Sequence, residues 1–189
     1  MILFFSKVNI LNHNFTNLKI YLNNRETRKK SYFYGMNKML QVGDKMPDFK
    51  GVDQFGKEHS SADFKNQKLV VFFYPKASTP GCTAEACNIN DNLDALKAQG
   101  YQVIGVSADS VEKQRKFSDK YDFKFPVIAD VDKKIIEAFG VWGEKKFMGK
   151  TYDGIHRTTF IIDENGVVER VIEKVKTKDH TNQILNSEK

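Results

Sequence analysis

The chain has 189 residues, 40% of them hydrophobic and 29% charged, enough for one packed soluble domain plus an appendage. Its net charge of +6 comes from the first 38 residues, where Lys7, Lys19, Arg25, Arg28, Lys29, Lys30 and Lys38 accompany one acid, Glu26; 23 of the 30 basic and 23 of the 24 acidic residues remain for positions 39–189. The body therefore lacks an electrostatic footprint for nucleic acid, and no apolar run is long enough to span a membrane.

Residues 1–38 contain seven asparagines, no proline and one glycine, Gly35, and read as a basic extension outside a domain at 39–189. An over-extended start, with initiation at Met36 or Met39, makes this segment disordered or absent from the working protein; a basic, acid-poor transit segment is the alternative. Ile2 to Phe5 is too short for a secretory apolar core, so a cytoplasmic location is expected.

From Val42 onward the punctuation is regular. Asp48 to His59 has short alternating segments around Gln54-Phe55-Gly56-Lys57, which predicts an N-terminal β-hairpin. Leu69-Val-Val-Phe-Phe-Tyr74 is apolar on both faces, as a central strand covered on two sides requires. A helical pattern then runs to about Gln99 and is closed by Gly100. Tyr101 to Ser107 reads as a second buried strand, and Asp109-Ser-Val-Glu112 as a capping box opening a helix to about Tyr121. Phe125 to Ala129 is a short strand, after which Asp132 is placed to cap the helix carrying Ile135, Ile136 and Phe139. Thr158 to Ile162 and Val167 to Ile172 flank the turn Asp163-Glu-Asn-Gly166, and Asp179 to Asn186 makes a final helix. This order predicts an α/β layered fold with a central mixed β-sheet flanked by helices.

The only cysteines are Cys82 and Cys87. A bridge closing so short a loop restrains the unfolded chain little, so the pair suits redox chemistry better than stapling. Thr79-Pro80-Gly81-Cys82 reads as a helix start, with Thr79 as N-cap and Pro80 at the first helical position. Cys82 then falls in the first turn, where unpaired N–H groups and the helix dipole favour a thiolate, the nucleophilic form. A thiolate attacks one peroxide oxygen and becomes a sulfenic acid, while the same donors can hold the peroxide as its O–O bond polarises.

At about 100° per residue, Ile89, Leu93 and Leu96 lie within about 40° of Cys82, which places it at the head of a buried stripe. Cys87 falls about 140° round, beside Asp91 and Asp94, toward solvent or a mobile surface. Five helical residues separate the two Cα atoms by about 8.6 Å, whereas a disulfide tolerates roughly 7 Å. Any Cys82–Cys87 bond therefore requires the helix start to unwind.

Taken singly, these residues have plain structural alternatives: Cys82 as a small inert hydrophobe, Thr79 as only a cap, Pro75 as only a strand end. The two cysteines and four histidines (His13, His59, His156, His180) show no zinc-like spacing, and neither metal nor cofactor is expected. After Met39, only Arg115, Arg157 and Arg170 stand among 20 lysines. Arg115 and Arg170 read as solvated. Arg157 opens the apolar run Thr158-Thr-Phe-Ile-Ile, and its planar guanidinium suits fixed bidentate donation; a surface salt bridge is the alternative. Glu85 reads as a complement to the early-helix dipole and Trp142 as packing, and neither is assigned chemistry.

Pro75, Thr79 and Cys82 match the peroxiredoxin active-site signature. The longer run Tyr74-Pro-Lys-Ala-Ser-Thr-Pro-Gly-Cys-Thr-Ala-Glu-Ala-Cys87 resembles the bacterioferritin comigratory protein group, also called the peroxiredoxin Q type. The likeness continues through Gly140-Val-Trp-Gly-Glu-Lys-Lys-Phe-Met-Gly-Lys-Thr-Tyr-Asp-Gly-Ile-His-Arg157-Thr-Thr-Phe-Ile-Ile-Asp163 and covers about Leu40 to Leu185. The resemblance implies a thioredoxin-like fold and reduction of hydrogen peroxide and organic hydroperoxides. It further implies Cys82 as peroxidatic cysteine, Thr79 as a hydroxyl contact to peroxide, Pro75 as a shield for the sulfur and Cys87 as resolving cysteine. Arg157 would stabilise the thiolate and orient the peroxide. Reduced thioredoxin, or glutaredoxin in its place, is the implied electron donor, and the implied state is a monomer. Two other classes compete: a thioredoxin-like dithiol-disulfide oxidoreductase, whose Cys-x-x-Cys spacing is absent, and a non-enzymatic binding module, which needs no Thr79, Cys82 and Arg157 together.

Overall fold

A segment that is apolar on both faces has no side to offer solvent, and β3 (Lys68–Phe73) accordingly lies inside a seven-stranded sheet, with residues 69–73 fully buried. The computed structural model describes residues 38–147 and 149–186, so the expectation of an extension over 1–38 falls, save for Lys38, outside them.

The expected hairpin forms from β1 (Lys50–Val52) and β2 (Glu58–Ser60). β4 (Tyr101–Ser107) and β5 (Val127–Ala129) extend β3 in parallel, and β8 (Thr158–Ile162) joins its other side antiparallel, followed by β9 (Val168–Ile172). The order β2-β1-β5-β4-β3-β8-β9 makes the sheet mixed. β3 and β4 pair with Phe72 opposite Gly105, and a Cβ at Gly105 would sit 2.7 Å from the Phe72 ring. Only glycine fits beneath that ring.

The described residues form five α-helices: α1 (Pro80–Asp91), α2 (Leu93–Ala98), α3 (Val111–Tyr121), α4 (Lys134–Ala138) and α5 (His180–Leu185). Alternation along the strands splits the core in two. Val70, Phe72, Val103, Val127 and Ile161 face α1, α2, α3 and α5 through residues such as Cys82, Ile89, Leu96, Phe117 and Ile184. Val71, Phe73, Ile104, Val106 and Phe160 face α4 and the Phe49–Phe139 aromatic contact.

Four local expectations change. The helix predicted to run to Gln99 breaks at Asn92 (φ −115°, ψ 18°), whose Nδ2 donates to the Asn88 carbonyl at 2.8 Å. A short amide side chain that reaches its own backbone competes with the helix ladder. Ser110, not Asp109, caps α3, because Asp109 is buried and accepts from the Ala77 N–H (2.7 Å) and the Ser107 hydroxyl (2.9 Å). At α4 the cap position is Lys133 in the left-handed region, and Asp130 rather than Asp132 accepts from the Ile136 N–H at 2.8 Å. Arg170 is half-buried rather than freely solvated; it donates to the carbonyls of Gln183, Ile184 and Asn186 at the end of α5, where cations meet unpaired acceptors.

A second sheet, β6 (Trp142–Phe147) paired antiparallel with β7 (Lys150–Ile155), was not anticipated. Its sequences WGEKKF and KTYDGI lack the two-residue apolar alternation by which a half-buried strand is read. Among the described residues, no helix is long and apolar enough to cross a membrane, and no group of His, Cys, Asp and Glu is placed to hold a metal ion.

Candidate active site

The loop between β3 and α1 is tied down at several points. The Tyr74 N–H donates to Val106 O (3.1 Å), and its buried hydroxyl donates to Gln114 Oε1 at 2.5 Å. Burial, above all, pushes the Tyr74 phenol above its ordinary pKa, so it serves as a neutral donor. Asp109 holds the Ala77 N–H, and the Thr79 hydroxyl donates to Lys76 O at 2.9 Å. Half-buried Pro75 lies at the start of this loop.

α1 begins as its sequence predicts, with Thr79 at the N-cap in extended conformation and Pro80 at the first position. The Thr79 carbonyl accepts from the Thr83 N–H at 2.8 Å. Its side chain, expected to cap, makes no cap bond; the hydroxyl is turned toward the Lys76 carbonyl, to which it donates. That commitment leaves the hydroxyl oxygen an acceptor.

Cys82 lies in the first turn and is 1% exposed, packed in the core beside Ala86 and Ile89. Arg157, from the connection between β7 and β8, reaches it: Nη2 donates to Cys82 Sγ at 3.2 Å and Nη1 pairs with Glu85 Oε2. A Cβ at position 81 would come within 3.3 Å of Nη2, so Gly81 keeps the approach open. Burial works against the Arg157 charge, but Glu85 and Cys82 outweigh it and raise its pKa above the ordinary value. Lys145 supplies a second cation nearby; its ammonium donates to Ile155 O at 2.9 Å. Burial and the neighbouring Arg157 lower the Lys145 pKa, against a raising influence from Cys82.

Glu85 and His180 did not stand out in the sequence as functional. Glu85 is fully buried, and its Oε1 finds no hydrogen bond among the described residues, with His180 Nε2 at 3.7 Å. His180, also fully buried, shares a 2.8 Å hydrogen bond between Nε2 and Thr159 Oγ1. Burial lowers its pKa to about 4, so it is neutral near pH 7 and supplies no charge to Glu85. Burial pushes Glu85 up to about 7 against the pull of Arg157. One guanidinium thus serves two potential anions. A signal for Glu85 existed: it lies about 60° from Cys82 on the helix, a carboxylate on an apolar face that requires a partner. His180 carried none.

Cys87 was expected toward solvent, but it is half-buried against the core, and burial and Asp91 raise its thiol pKa. Both cysteines are free, and α1 runs unbroken through them. Helical rise and radius put their Cα atoms about 8.6 Å apart. The structure therefore brings Cys82, which lies three residues beyond Thr79, together with Glu85 and Arg157, and holds Cys87 away.

Glu85 also makes stability depend on pH. The unfolded chain ionises this carboxyl near its ordinary 4.5, whereas the native chain keeps it protonated to about 7. Between those values the native state binds the extra proton, so this contribution falls as pH rises from 4.5 to about 7 and is level above. Its full size is on the order of 3 kcal/mol. Glu85→Gln cannot ionise, so its stability by urea unfolding should gain on wild type across that window; parallel pH profiles would mean that Glu85 ionises normally in the native state.

The model of the AhpC/TSA family matches residues 42–171. Peroxiredoxin Bcp of Escherichia coli (strain K12) is 48% identical over 147 residues, covering 78% of this chain and 94% of that protein. The solved bacterioferritin comigratory protein of Xanthomonas campestris, described for its alkyl peroxide reduction activity, superposes with a TM-score of 0.70 at 35% identity, over 77% of this chain and 93% of that one. Peroxidoxin BcpB of Mycobacterium tuberculosis gives 0.69 at 33% identity, over 78% and 95%. These matches show the thioredoxin-like fold.

Proposed function

The chain belongs to the AhpC/TSA family, as a peroxidase of the peroxiredoxin Q type, and from that premise we propose that Cys82 is its peroxidatic cysteine and Cys87 the thiol that resolves it. One observation carries the reading: a buried sulfur in the first turn of α1, with a guanidinium donor 3.2 Å away. The Cys82 thiolate attacks the nearer oxygen of a hydroperoxide, the O–O bond breaks, and the departing oxygen takes a proton to leave as water or an alcohol. Arg157 offsets charge on the sulfur before attack and on the oxygens during it. Thr79 accepts from the peroxide O–H, and Pro75 shields the sulfur from bulk water.

Cys87 then displaces water from the sulfenic acid, forming a Cys82–Cys87 disulfide after α1 unwinds. A dithiol reductant of the thioredoxin or glutaredoxin class returns both thiols. Hydrogen peroxide and alkyl hydroperoxides are the substrates, the latter supported by the Xanthomonas relative. The reading takes residues 39–189 as the catalytic domain, acting as a cytoplasmic monomer, with the family match over 42–171 in support. Sedimentation of a species heavier than one chain would exclude the monomer.

Cys87→Ser should still consume one equivalent of peroxide per chain and accumulate sulfenic acid at Cys82, trapped by dimedone. Thioredoxin-linked turnover in that variant should fall at least about tenfold, since attack on the sulfenic acid becomes bimolecular. Oxidised wild type without a Cys82–Cys87 linkage in its peptide mass spectrum would exclude the intramolecular route.

A further inference from the structure

Cys87 lies between the two residues of α1 that face the α5 segment. On one side is Asn88, whose Nδ2 donates to Lys178 O at 3.1 Å and whose Oδ1 accepts from the Thr181 N–H at 2.8 Å. The Asn88 carbonyl accepts from the Thr181 hydroxyl at 3.0 Å and also from Asn92 Nδ2. On the other side is Glu85, whose Oε1 faces His180 Nε2. The gripping segment is itself anchored: Ile184 is fully buried, and Arg170 binds the carbonyls at the end of α5. Neither Asn88 nor Thr181 belongs to the group around the Cys82 sulfur.

These bonds join residues about 90 positions apart and tie the third turn of α1 to the segment 178–181. Cys87 adjoins Asn88, so any displacement of Cys87 toward Cys82 pulls on the bonds that Asn88 makes to Lys178 and Thr181. We propose that the segment 178–181 is a latch on α1, and that Asn88 and Thr181 are positioning residues that set the rate of disulfide formation without touching the peroxide step. The assignment presupposes that Cys87 resolves Cys82. Its chemical consequence is a partition. While the latch holds, the sulfenic acid at Cys82 persists and a second peroxide can oxidise it to the sulfinic acid, with release of water or an alcohol. Once the latch opens, Cys87 displaces water and closes the disulfide.

The test follows one turnover by rapid quench and mass spectrometry, resolving thiol, sulfenic acid, disulfide and sulfinic acid at Cys82. Asn88→Ala removes two side-chain hydrogen bonds, and disulfide formation is expected to accelerate about tenfold. The second-order peroxide rate should stay within about twofold of wild type, and the sulfinic fraction at high peroxide should fall in step. Thr181→Val, which loses one bond, should shift the same way by a smaller factor, and Thr181→Ser, which keeps the donor, should restore wild-type partition. Unchanged disulfide rates in folded Asn88→Ala and Thr181→Val overturn the latch, as does a peroxide rate that changes as much as the resolution rate. Should Asn88→Ala not fold, the Thr181 pair decides alone. Wild type that forms no Cys82–Cys87 bond would instead defeat the underlying role of Cys87, a separate and distinguishable result.

Discussion

Cys82→Ser is expected to abolish peroxide consumption, reducing the coupled rate with thioredoxin by more than about a thousandfold. Serine preserves the size of the side chain and the first turn of α1, and Arg157 can still donate to its oxygen. What it lacks is the nucleophile: an alcohol stays protonated near neutral pH and cannot become a sulfenic acid. The fold should survive, because the buried hydroxyl inherits a hydrogen-bond partner. Far-UV circular dichroism checks that survival and NADPH oxidation through thioredoxin and its reductase reads the activity. Substantial turnover in the folded variant would remove Cys82 from the mechanism.

Arg157 carries the second large effect. Its two terminal nitrogens serve two groups at once, Nη2 the Cys82 sulfur and Nη1 the Glu85 carboxylate. Arg157→Met removes both interactions and should lower the second-order rate with hydrogen peroxide by about 10² to 10³, the usual loss when a fixed donor to a developing anion is deleted. Arg157→Lys keeps a charge but has one ammonium for two sites, and a loss of about tenfold is expected. Both rates can be read by competition with a peroxidase of known rate. Unchanged reactivity in Arg157→Lys would show that the fork does not matter.

Stability should move as well. Without Arg157, Glu85 loses the charge that opposes burial, and its native pKa climbs above about 7. The range over which rising pH destabilises the protein then widens upward in Arg157→Met, because the native state holds its extra proton to higher pH. Peroxide reactivity and pH-dependent stability thus meet at one guanidinium.

Much of the molecule could be read from short-range pattern. The double-sided apolar run at residues 69–74 marks the central strand, and β4 and β8 have the bounds that alternation and flanking turns suggested. Proline at the first helical position placed Cys82 in the first turn of α1. The failures were also local in appearance but not in cause. Asp109 looked like a cap and is committed instead to Ala77, 32 residues away. Thr79 looked like a side-chain cap and is turned to Lys76. The β6–β7 hairpin had no apolar alternation because it forms a small sheet of its own, apart from the main one.

Spacing and residue type were enough to read the fold class, the place of Cys82 in the first turn of α1 and its helical separation from Cys87, since helical rise and strand alternation are properties of neighbouring residues. Everything that gives Cys82 its chemical surroundings comes from further along the chain. Arg157 is 75 residues away, its partner Glu85 is buried where the helix packs on the core, and the bonds that hold Asn88, next to Cys87, come from Lys178 and Thr181. A carboxylate on an apolar helix face hints that it needs a partner, but which one arrives depends on how β8 and α5 close over α1. That choice is made by packing, and packing is not written in any one stretch of residues.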